Sequence, residues 1–328
     1  MSSFRIGSLH LKNRIVFPPM RSRKAAEDGY VSHALLQHYE ERAFGPGLVI
    51  VEHAYVLKGG RISNQLGISD DTFIDGLSTL VNVIHSKSTP TVLQINHVGS
   101  ATSSEIIEQK PVAPSSIKHP RTITTKLPKV LAKEEIEVII SAYADAAERA
   151  RKAGFDGVEI HNAHGYLLSQ FASPLMNKRN DEYGGTIENR IRLSMRVVKA
   201  VRQRVGRTYP LFCRFGAEDM LSGGLTLSEG LEMARYLVRS GIDVMDVSAG
   251  MAGAIPLGSH GQGFLLPQAE AVKRTVEVPV IGVGGITSPE YANEIIRQGK
   301  IDLVAVGRAL WDDPYWAVKA LKTIKNNG

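Results

Sequence analysis

The chain has few of the residues that hold disulfide-rich domains or metal clusters together. Its 328 residues include a single cysteine, Cys213, inside the apolar run LFCRF. One thiol excludes an internal disulfide and an iron–sulfur cluster held by cysteines. We interpret Cys213 as a buried structural residue, because nothing around it in the sequence favours a reactive thiolate.

Long apolar runs and basic tracts are also absent. No apolar run approaches membrane-spanning length, and the first residues lack the apolar core of a secretory signal. We therefore expect a cytoplasmic location and no membrane partner. Basic residues are scattered, and a formal net charge of +6 is only a weak indication of nucleic-acid binding. We expect no nucleic-acid partner, since such a field equally suits a phosphate-bearing ligand.

Short apolar segments alternate with helical patterns along almost the whole chain. A small hairpin over residues 4–11 comes first, because two alternating segments flank the turn pair Gly7-Ser8. The predicted strands are then 14–17, 48–51, 91–95, 158–161, 211–215, 244–247, 278–282 and 303–306. The predicted helices are 34–44, 71–86, 133–152, 189–205, 228–240, 269–275, 289–297 and 312–325. This alternation predicts an α/β fold, a (β/α)₈ TIM barrel with an N-terminal β-hairpin, formed by residues 1–328 as one domain.

Long loops follow the third and fourth predicted strands. The segment 96–132 is rich in Ser, Thr and Pro and has no strong period. Because ligands of such barrels bind at the carboxyl ends of the strands, we expect this segment to form a wall or lid of a site. An open, doubly wound sheet is the alternative fold, but no GxGxxG motif follows the first strand.

The fourth predicted strand ends in a cluster of polar side chains. His161, His164 and Tyr166 lie at its carboxyl end, and Glu159 precedes them. One interpretation is a metal site, with the carboxylate as a third ligand. Another is a pair of N–H donors for an oxygen that gains negative charge, with the phenol as a proton donor. The third is a set of satisfied polar residues in a loop.

Two glycine-containing turns predict a phosphate site towards the end of the chain. Gly284 and Gly285 follow the seventh strand, and Gly307 and Arg308 follow the eighth. Loops at these places in barrels often bind phosphate through backbone N–H groups, and glycine lets the backbone approach the anion closely. Two ordinary turns are the alternative.

Two further strands carry polar residues among apolar ones. Arg214 lies inside the fifth strand and Gln94 near the end of the third. The arginine must face a polar or anionic group, which is either an ion-pair partner in the barrel core or a ligand ring. The glutamine offers both a donor and an acceptor, which suits the imide edge of a ligand.

Segments that resemble the signature of a known family run through nearly the whole chain. The longest is EIHNAHGYLLSQFASPLMNKRNDEYGGTIENRIRL, and the others are LKNRIVFPPM, YVSHALLQHYEERA, VLQINHVG, FCRF, GVGGI and VAVGRAL. Together they resemble the old yellow enzyme family of NAD(P)H:flavin oxidoreductases. The resemblance implies a (β/α)₈ barrel that holds FMN non-covalently, uses NADPH or NADH as its reductant and needs no metal.

The resemblance also implies roles for individual residues. His161 and His164 would hold the carbonyl oxygen of an α,β-unsaturated substrate, while hydride passes from FMN to the β-carbon. Tyr166 would then protonate the α-carbon. The residues that the resemblance places around FMN are Pro19, Met20, Gln94, Arg214, Ser248, Gly250, Gly284, Gly285, Gly307 and Arg308.

The sequence departs from the family pattern at several positions. Arg21 stands where members carry Cys or Thr beside the flavin, and His53 where small residues are usual. We expect both beside FMN, where the arginine would tune the flavin or bind an anionic substrate unless it lies in a solvated basic turn. Ser100 replaces a motif arginine, and the chain stops at Gly328, before an arginine that relatives lend to a neighbouring subunit. A homo-oligomer therefore stays open, with the usual dimer contact expected to be missing.

The leading interpretation is an enzyme that reduces activated C=C bonds of small α,β-unsaturated carbonyl compounds. One alternative is a specialised anionic substrate or an enoyl or dienoyl thioester. Alternatives of another class are an FMN barrel that acts on tRNA and a flavin-binding protein without ene-reductase turnover. The last would apply if Arg21 and His53 block the pocket.

Overall fold

A computed structural model of the protein describes residues 1–122 and 126–326. The strands are β1 Phe4–Ile6, β2 Leu9–Leu11, β3 Ile15–Phe17, β4 Leu48–Tyr55, β5 Thr91–Asn96, β6 Val112–Ala113, β7 Lys129–Val130, β8 Gly157–Asn162, β9 Leu211–Gly216, β10 Val244–Ser248, β11 Val280–Gly282 and β12 Leu303–Ala305. The α-helices are α1 His33–Arg42, α2 Ile74–His85, α3 Ser104–Ile107, α4 Lys133–Lys152, α5 Leu167–Ala172, α6 Ile187–Arg190, α7 Arg192–Val205, α8 Leu227–Ser240, α9 Leu266–Lys273, α10 Pro289–Arg297, α11 Arg308–Asp312 and α12 Trp316–Asn326.

Eight parallel strands close into a barrel, as the sequence predicts. Their order around the barrel is β3, β4, β5, β8, β9, β10, β11 and β12, with the last strand paired to the first. The barrel strands are buried on both faces, as expected for parallel strands that are covered by helices. The predicted TIM barrel is therefore confirmed, and an open sheet is excluded.

The predicted N-terminal hairpin is also confirmed. Strands β1 and β2 pair antiparallel, with Ile6 opposite Leu9. Both side chains, together with Leu11, belong to one apolar cluster with the barrel-interior residues Val16 and Phe212. The hairpin thus closes the amino-terminal end of the barrel and leaves the carboxyl end of the strands for a ligand.

The helices pack one apolar stripe against the barrel. Helix α4 shows why these segments are helical, since its buried residues recur at three- and four-residue spacing. They include Ile136, Ile139, Tyr143, Ala147 and Ala150. Glu135, in its first turn, accepts a hydrogen bond from the backbone N–H of Ala132, which satisfies an N-terminal donor.

The connections differ in detail from the sequence prediction. The predicted closing helix 312–325 begins later, as α12 at Trp316, and it is preceded by the short helix α11, which the sequence does not predict. Pro314 lies between the two helices and cannot continue α11. The loop after β8 contains helix α5, which the sequence analysis missed. The segment 96–132 contains α3, β6 and β7, and its residues 123–125 lie outside the described part. No helix within the described ranges has the length and apolar character needed to cross a membrane.

Candidate active site

The carboxyl ends of the barrel strands surround a cavity of about 380 Å³. This size lies within the range of roughly 300–1,000 Å³ that is usual for small-molecule sites. The predicted site residues that line it are Pro19, Met20, Arg21, His53, Gln94, His161, His164, Tyr166, Arg214, Gly284, Gly285, Gly307 and Arg308. The fold therefore brings residues from seven barrel strands or the loops after them to one cavity.

Two histidines and a tyrosine form one wall of this cavity. The ring centroids of His161 and His164 are 4.9 Å apart, and those of His161 and Tyr166 are also 4.9 Å apart. Strand β8 positions the first histidine, whose neighbour in the barrel is Arg214 on β9. His164 follows the strand with a backbone φ of 57°, a left-handed conformation that non-glycine residues adopt mostly where the surrounding structure requires it.

The imidazole of His164 is oriented by hydrogen bonds from its neighbours. Its Nε2 lies 2.7 Å from the hydroxyl oxygen of Ser248, and that oxygen lies 3.5 Å from Nη2 of Arg214. Because the guanidinium can only donate, the hydroxyl oxygen accepts from it and its own proton is available to Nε2. In the tautomer that accepts this proton at Nε2, the ring proton of His164 lies on Nδ1, which makes that atom the donor to a ligand.

Both histidines are neutral at ordinary pH. Burial is the main reason why the pKa of His161 lies well below its usual range, and the neighbouring imidazole of His164 lowers this pKa further. Burial, followed by Arg214, holds the pKa of His164 well below that range too. Nδ1 of His161 is buried without a hydrogen-bond partner. Each ring can therefore donate an N–H group to a ligand oxygen. Because both rings are neutral, the pair neither repels a cation nor attracts an anion.

Tyr166 keeps its proton in this site. Burial raises the pKa of the phenol, and the nearby Arg121 and Arg21 only partly oppose this. The imidazole of His53 packs against the phenol, with 5.4 Å between the ring centroids. A buried, protonated phenol beside aromatic rings is suited to donate a proton during a reaction.

A layer of four polar side chains lies in the barrel interior, formed by Gln94, Glu159, Arg214 and Asp246. Nε2 of Gln94 donates to Oε1 of Glu159 at 2.7 Å. Nη1 of Arg214 donates to Oδ2 of Asp246 at 2.6 Å. The ion pair in the barrel core is therefore confirmed. The arginine also lines the cavity, and its contact with a ligand ring stays a prediction. The acid on β10 was missed, although an aspartate within the apolar run VMDVS carries the same signal as an arginine within LFCRF.

The glycine turns lie beside Arg308, as the sequence predicts. Gly284 and Gly285 have φ values of 140° and 65°, and a Cβ atom on either would come within 2.8 Å of a backbone atom. A Cβ atom on Gly285 would also lie 3.0 Å from the Arg308 guanidinium, so the two groups are in contact. Helix α11 begins at Arg308, after Gly307. Backbone N–H groups, a guanidinium and a helix start thus converge on one corner of the cavity, which suits an anion.

Arg21 and His53 form the wall at which the sequence departs from the family pattern. Nη2 of Arg21 donates to the backbone carbonyl of Ser63 at 2.6 Å, while its Nε is buried without a partner. Nδ1 of His53 lies 2.7 Å from the amide nitrogen of Gln65. Burial, and then Arg21, lower the pKa of His53 to about 3, so this ring is neutral.

The long segment after β5 contributes a residue that the sequence analysis missed. Arg121 lines the cavity, and its Nη1 donates to the backbone carbonyl of His164 at 2.8 Å. Nε2 of His119 lies 2.8 Å from the carbonyl oxygen of Gly165. This hydrogen bond holds the segment against the loop after β8. The predicted wall is therefore confirmed for the described part of the segment. No periodic pattern marks Arg121 in the sequence.

Two predicted cofactor residues lie next to the cavity but do not line it. Ser248 is buried beneath His164, as its hydrogen bond shows. Gly250 packs against Asp219, and its backbone N–H donates to the carbonyl of Glu218 at 2.8 Å. Their contact with a cofactor stays a prediction.

The polar cluster on β8 is not arranged as a metal site. Within residues 1–122 and 126–326, no group of three or more His, Cys, Asp or Glu side chains could hold a metal ion. Glu159, the candidate third ligand, bonds Gln94 instead. The single thiol, Cys213, is buried inside β9 and is free.

Comparison with known proteins agrees with this geometry. The model of the NADH:flavin oxidoreductase / NADH oxidase family matches residues 2–327. The chain is 42% identical over 333 residues to an NADH oxidase of Thermoanaerobacter brockii, covering 99% of this chain and 51% of that protein. It therefore spans about half the length of that relative. It is 39% identical over 326 residues to an NADPH dehydrogenase of a Geobacillus strain, covering 98% of this chain and 94% of that protein.

A solved structure shows the same fold and family. The old yellow enzyme homologue from Zymomonas mobilis superposes with a TM-score of 0.86 and 26% identity, covering 98% of this chain and 92% of that one. Accordingly FMN is the cofactor and NADH or NADPH the reductant. The chain belongs to the NADH:flavin oxidoreductase / NADH oxidase family, the old yellow enzyme family of FMN-dependent NAD(P)H oxidoreductases.

Proposed function

We propose that the protein reduces the activated C=C bond of α,β-unsaturated carbonyl compounds, with FMN as the hydride carrier and NADPH or NADH as the reductant. One observation carries this proposal. Two neutral imidazoles and a protonated phenol line the same cavity as Gln94, Arg214 and the glycine turns. A carbonyl anchor, a proton donor and the groups that suit a flavin phosphate are thus within one pocket.

The residues of the cavity fit FMN. Nε of Arg214 is buried without a partner, and so is Nδ1 of His161. An unpartnered guanidinium nitrogen suits the electron-rich pyrimidine edge of a flavin, next to the amide of Gln94. The phosphate would lie against Gly284, Gly285 and Arg308, beside the Phe264 ring.

The remaining predicted cofactor residues frame the ring. Pro19 and Met20 line the cavity after β3, and the Met20 sulfur lies against Gly307, where a Cβ atom would come within 2.9 Å of it. This close approach explains why a glycine stands at that position. The backbone of this turn would lie along the isoalloxazine ring. Ser248 would act through Arg214 and His164 rather than on the phosphate.

His161 and His164 would bind the carbonyl oxygen of the substrate. Two neutral N–H donors stabilise the negative charge that develops on this oxygen as the β-carbon accepts hydride. When bound, FMN supplies that hydride. The backbone of His164 is fixed by the carbonyl of Ala249 and its ring by Ser248, so the donor needs no reorganisation during the reaction.

Tyr166 would complete the reduction. Its phenol is protonated at neutral pH, because burial raises its pKa. Donation to the α-carbon leaves a phenolate, and the charges of Arg21 and Arg121 would limit the cost of that anion until it is reprotonated from solvent.

The experiment that tests this proposal follows the flavin absorption through both half-reactions. Anaerobic mixing with NADPH or NADH should bleach the yellow protein, and 2-cyclohexenone should restore the colour with one equivalent of cyclohexanone formed. Bleaching by NADPH without recovery by any of several enones would contradict enone reduction, although the protein would remain a flavin oxidoreductase.

A further inference from the structure

The cavity has an excess of positive charge. Four arginines line it, namely Arg21, Arg121, Arg214 and Arg308, and among the described residues no carboxylate does. Only Arg214 has an acidic partner, Asp246. Within the same described ranges, the other three make no ion pair, and two of them donate only to backbone carbonyls. Three guanidinium groups without an acidic partner give this pocket a positive potential, which favours anions.

The cofactor accounts for only part of this charge. Under the proposed function the FMN phosphate occupies the corner formed by Arg308 and the glycine turns. Arg21 and Arg121 belong to other elements, the turn after β3 and the segment after β5. The atoms nearest to a Cβ built on Gly284 or Gly285 come from neither of them but from residues 261–265 and Arg308. These two cations are therefore left for a second ligand.

Both cations are directed at the reacting end of the pocket. Arg121 donates through Nη1 to the carbonyl of His164, which places its guanidinium beside the carbonyl anchor. The charges of Arg121 and Arg21 both act on the phenol of Tyr166. Arg21 also acts on His53, the ring that packs against that phenol. An anion held by these arginines would therefore lie at the same end of the pocket as the histidines and the phenol.

The buried acid next to Arg21 does not neutralise it. Glu52 is 1% exposed, and its carboxylate oxygens accept hydrogen bonds from the backbone N–H and hydroxyl of Ser22. It forms no ion pair with Arg21, whose Nε is buried without a partner. Glu52 instead fixes the turn that carries the arginine. The guanidinium is thus held in place while its remaining donors stay available.

We infer that Arg21 and Arg121 form a carboxylate subsite, and that the preferred substrates are α,β-unsaturated carbonyl compounds bearing a carboxylate a few bonds from the alkene. This inference rests on the proposed enone reduction and specifies its substrate class. The carboxylate accepts hydrogen bonds from the two guanidinium groups while the ketone oxygen lies on His161 and His164. Guanidinium groups match carboxylates because both are planar and can form paired hydrogen bonds.

The test compares two substrates that differ in charge alone. We suggest a 2-cyclohexenone with a carboxylate on a saturated ring carbon, together with its methyl ester, whose alkene has nearly the same reactivity. The measured quantity is the ratio of kcat/KM for the acid to that for the ester. The expected ratio in the unchanged protein is about tenfold or more, falling at least about tenfold in Arg21→Gln and in Arg121→Gln.

A matched control removes one positive charge elsewhere. Arg235 lies exposed on α8, outside the cavity, and Arg235→Gln should leave the ratio unchanged.

A second experiment measures the dissociation constants of 4-hydroxybenzoate and methyl 4-hydroxybenzoate for the oxidised holoenzyme. The benzoate should bind more tightly, and increasing salt should weaken its binding more than that of the ester.

The outcomes separate this inference from the proposal on which it rests. Turnover of the ester with no preference for the acid would overturn the carboxylate subsite and leave enone reduction intact. An unchanged ratio in both arginine variants, with loss of affinity for NADPH alone, would overturn it too, because the cations would then bind the reductant. No turnover of either compound after flavin reduction would count against the proposed function itself.

Discussion

The carboxyl groups of Glu159 and Asp246 interact in the barrel interior, where two neighbouring buried carboxyl groups do not both stay ionised. Both residues are fully buried, and Oε2 of Glu159 and Oδ1 of Asp246 have no hydrogen-bond partner. Burial raises the pKa of both acids, that of Glu159 well above its usual range, while Arg214 favours the charged form of each. We therefore assign the proton to Glu159 and the negative charge to Asp246, which pairs with the arginine.

This assignment predicts opposite effects of two amide substitutions. Glu159→Gln should keep the stability close to that of the unchanged protein, because an amide N–H replaces the acid proton. Asp246→Asn should lower the free energy of unfolding by about 3–5 kcal/mol, since it leaves a buried guanidinium uncompensated. Denaturant unfolding of the holoprotein measures both.

The infrared spectrum provides an independent check on the shared proton. The unchanged protein should show the C=O band of a protonated carboxylic acid, and Glu159→Gln should lack it. Equal destabilisation by both variants, or a band that persists in Glu159→Gln, would contradict the assignment.

The phenol of Tyr166 should matter for one half-reaction only. Tyr166→Phe removes the proton donor, so reoxidation of the flavin by an enone should slow by about 10²–10⁴-fold. Flavin reduction by NADPH needs no such proton and should change little. Rapid-mixing absorption measurements separate the two steps, and an equal loss in both would argue for a merely structural role.

The hydroxyl of Ser248 should act through the tautomer of His164. Ser248→Ala removes the donor to Nε2, so the ring proton is no longer held on Nδ1. The affinity for p-hydroxybenzaldehyde, measured by the change in flavin absorption, should fall roughly fivefold, as for the loss of one hydrogen bond. Ser194 is an apt control because its hydroxyl is buried without a partner. If Ser194→Ala weakens binding as much, the effect is one of packing.

Glu52 should make stability depend on pH. Burial raises its folded pKa to about 7 from an ordinary 4.5, so the folded protein binds this proton more tightly than the unfolded chain. The resulting stabilisation is fully present below about pH 4.5 and disappears as the pH rises to about 7. The free energy of unfolding should decrease over this range by a total on the order of 3 kcal/mol.

Comparison with Glu52→Gln isolates that contribution. The free energy of unfolding of the unchanged protein, minus that of the variant, should decrease between pH 5 and pH 8. Denaturant titrations at the two pH values measure it. A difference that is constant or that increases with pH would show that the carboxyl group is ionised throughout.

The sequence predicts the barrel and most of its cavity because both follow from local patterns. Buried parallel strands are short apolar runs, and ligand residues follow them directly, so His161, Gln94 and the glycine turns could be assigned without a structure. The contact between Ser248 and His164 could not be foreseen, since it joins the ends of β10 and β8 across the intervening β9.

Loop residues limit such prediction for a different reason. Arg121 reaches the cavity because His119 ties its segment to Gly165, and that hydrogen bond has no periodic signature in the sequence. Helix α5 was missed because its six residues are all buried and show no polar face. Both features depend on tertiary contacts rather than on the local pattern.

The most direct test of the account follows the hydrogen atoms of the reaction. With NADPH deuterated at the transferable position of C4 and 2-cyclohexenone in ordinary water, the product should carry deuterium at the β-carbon and solvent hydrogen at the α-carbon. Unlabelled NADPH in heavy water should give the reverse pattern. Product analysis by NMR that shows no reductant-derived deuterium at the β-carbon, or no ketone product at all, would contradict hydride transfer to an enone held by His161, His164 and Tyr166.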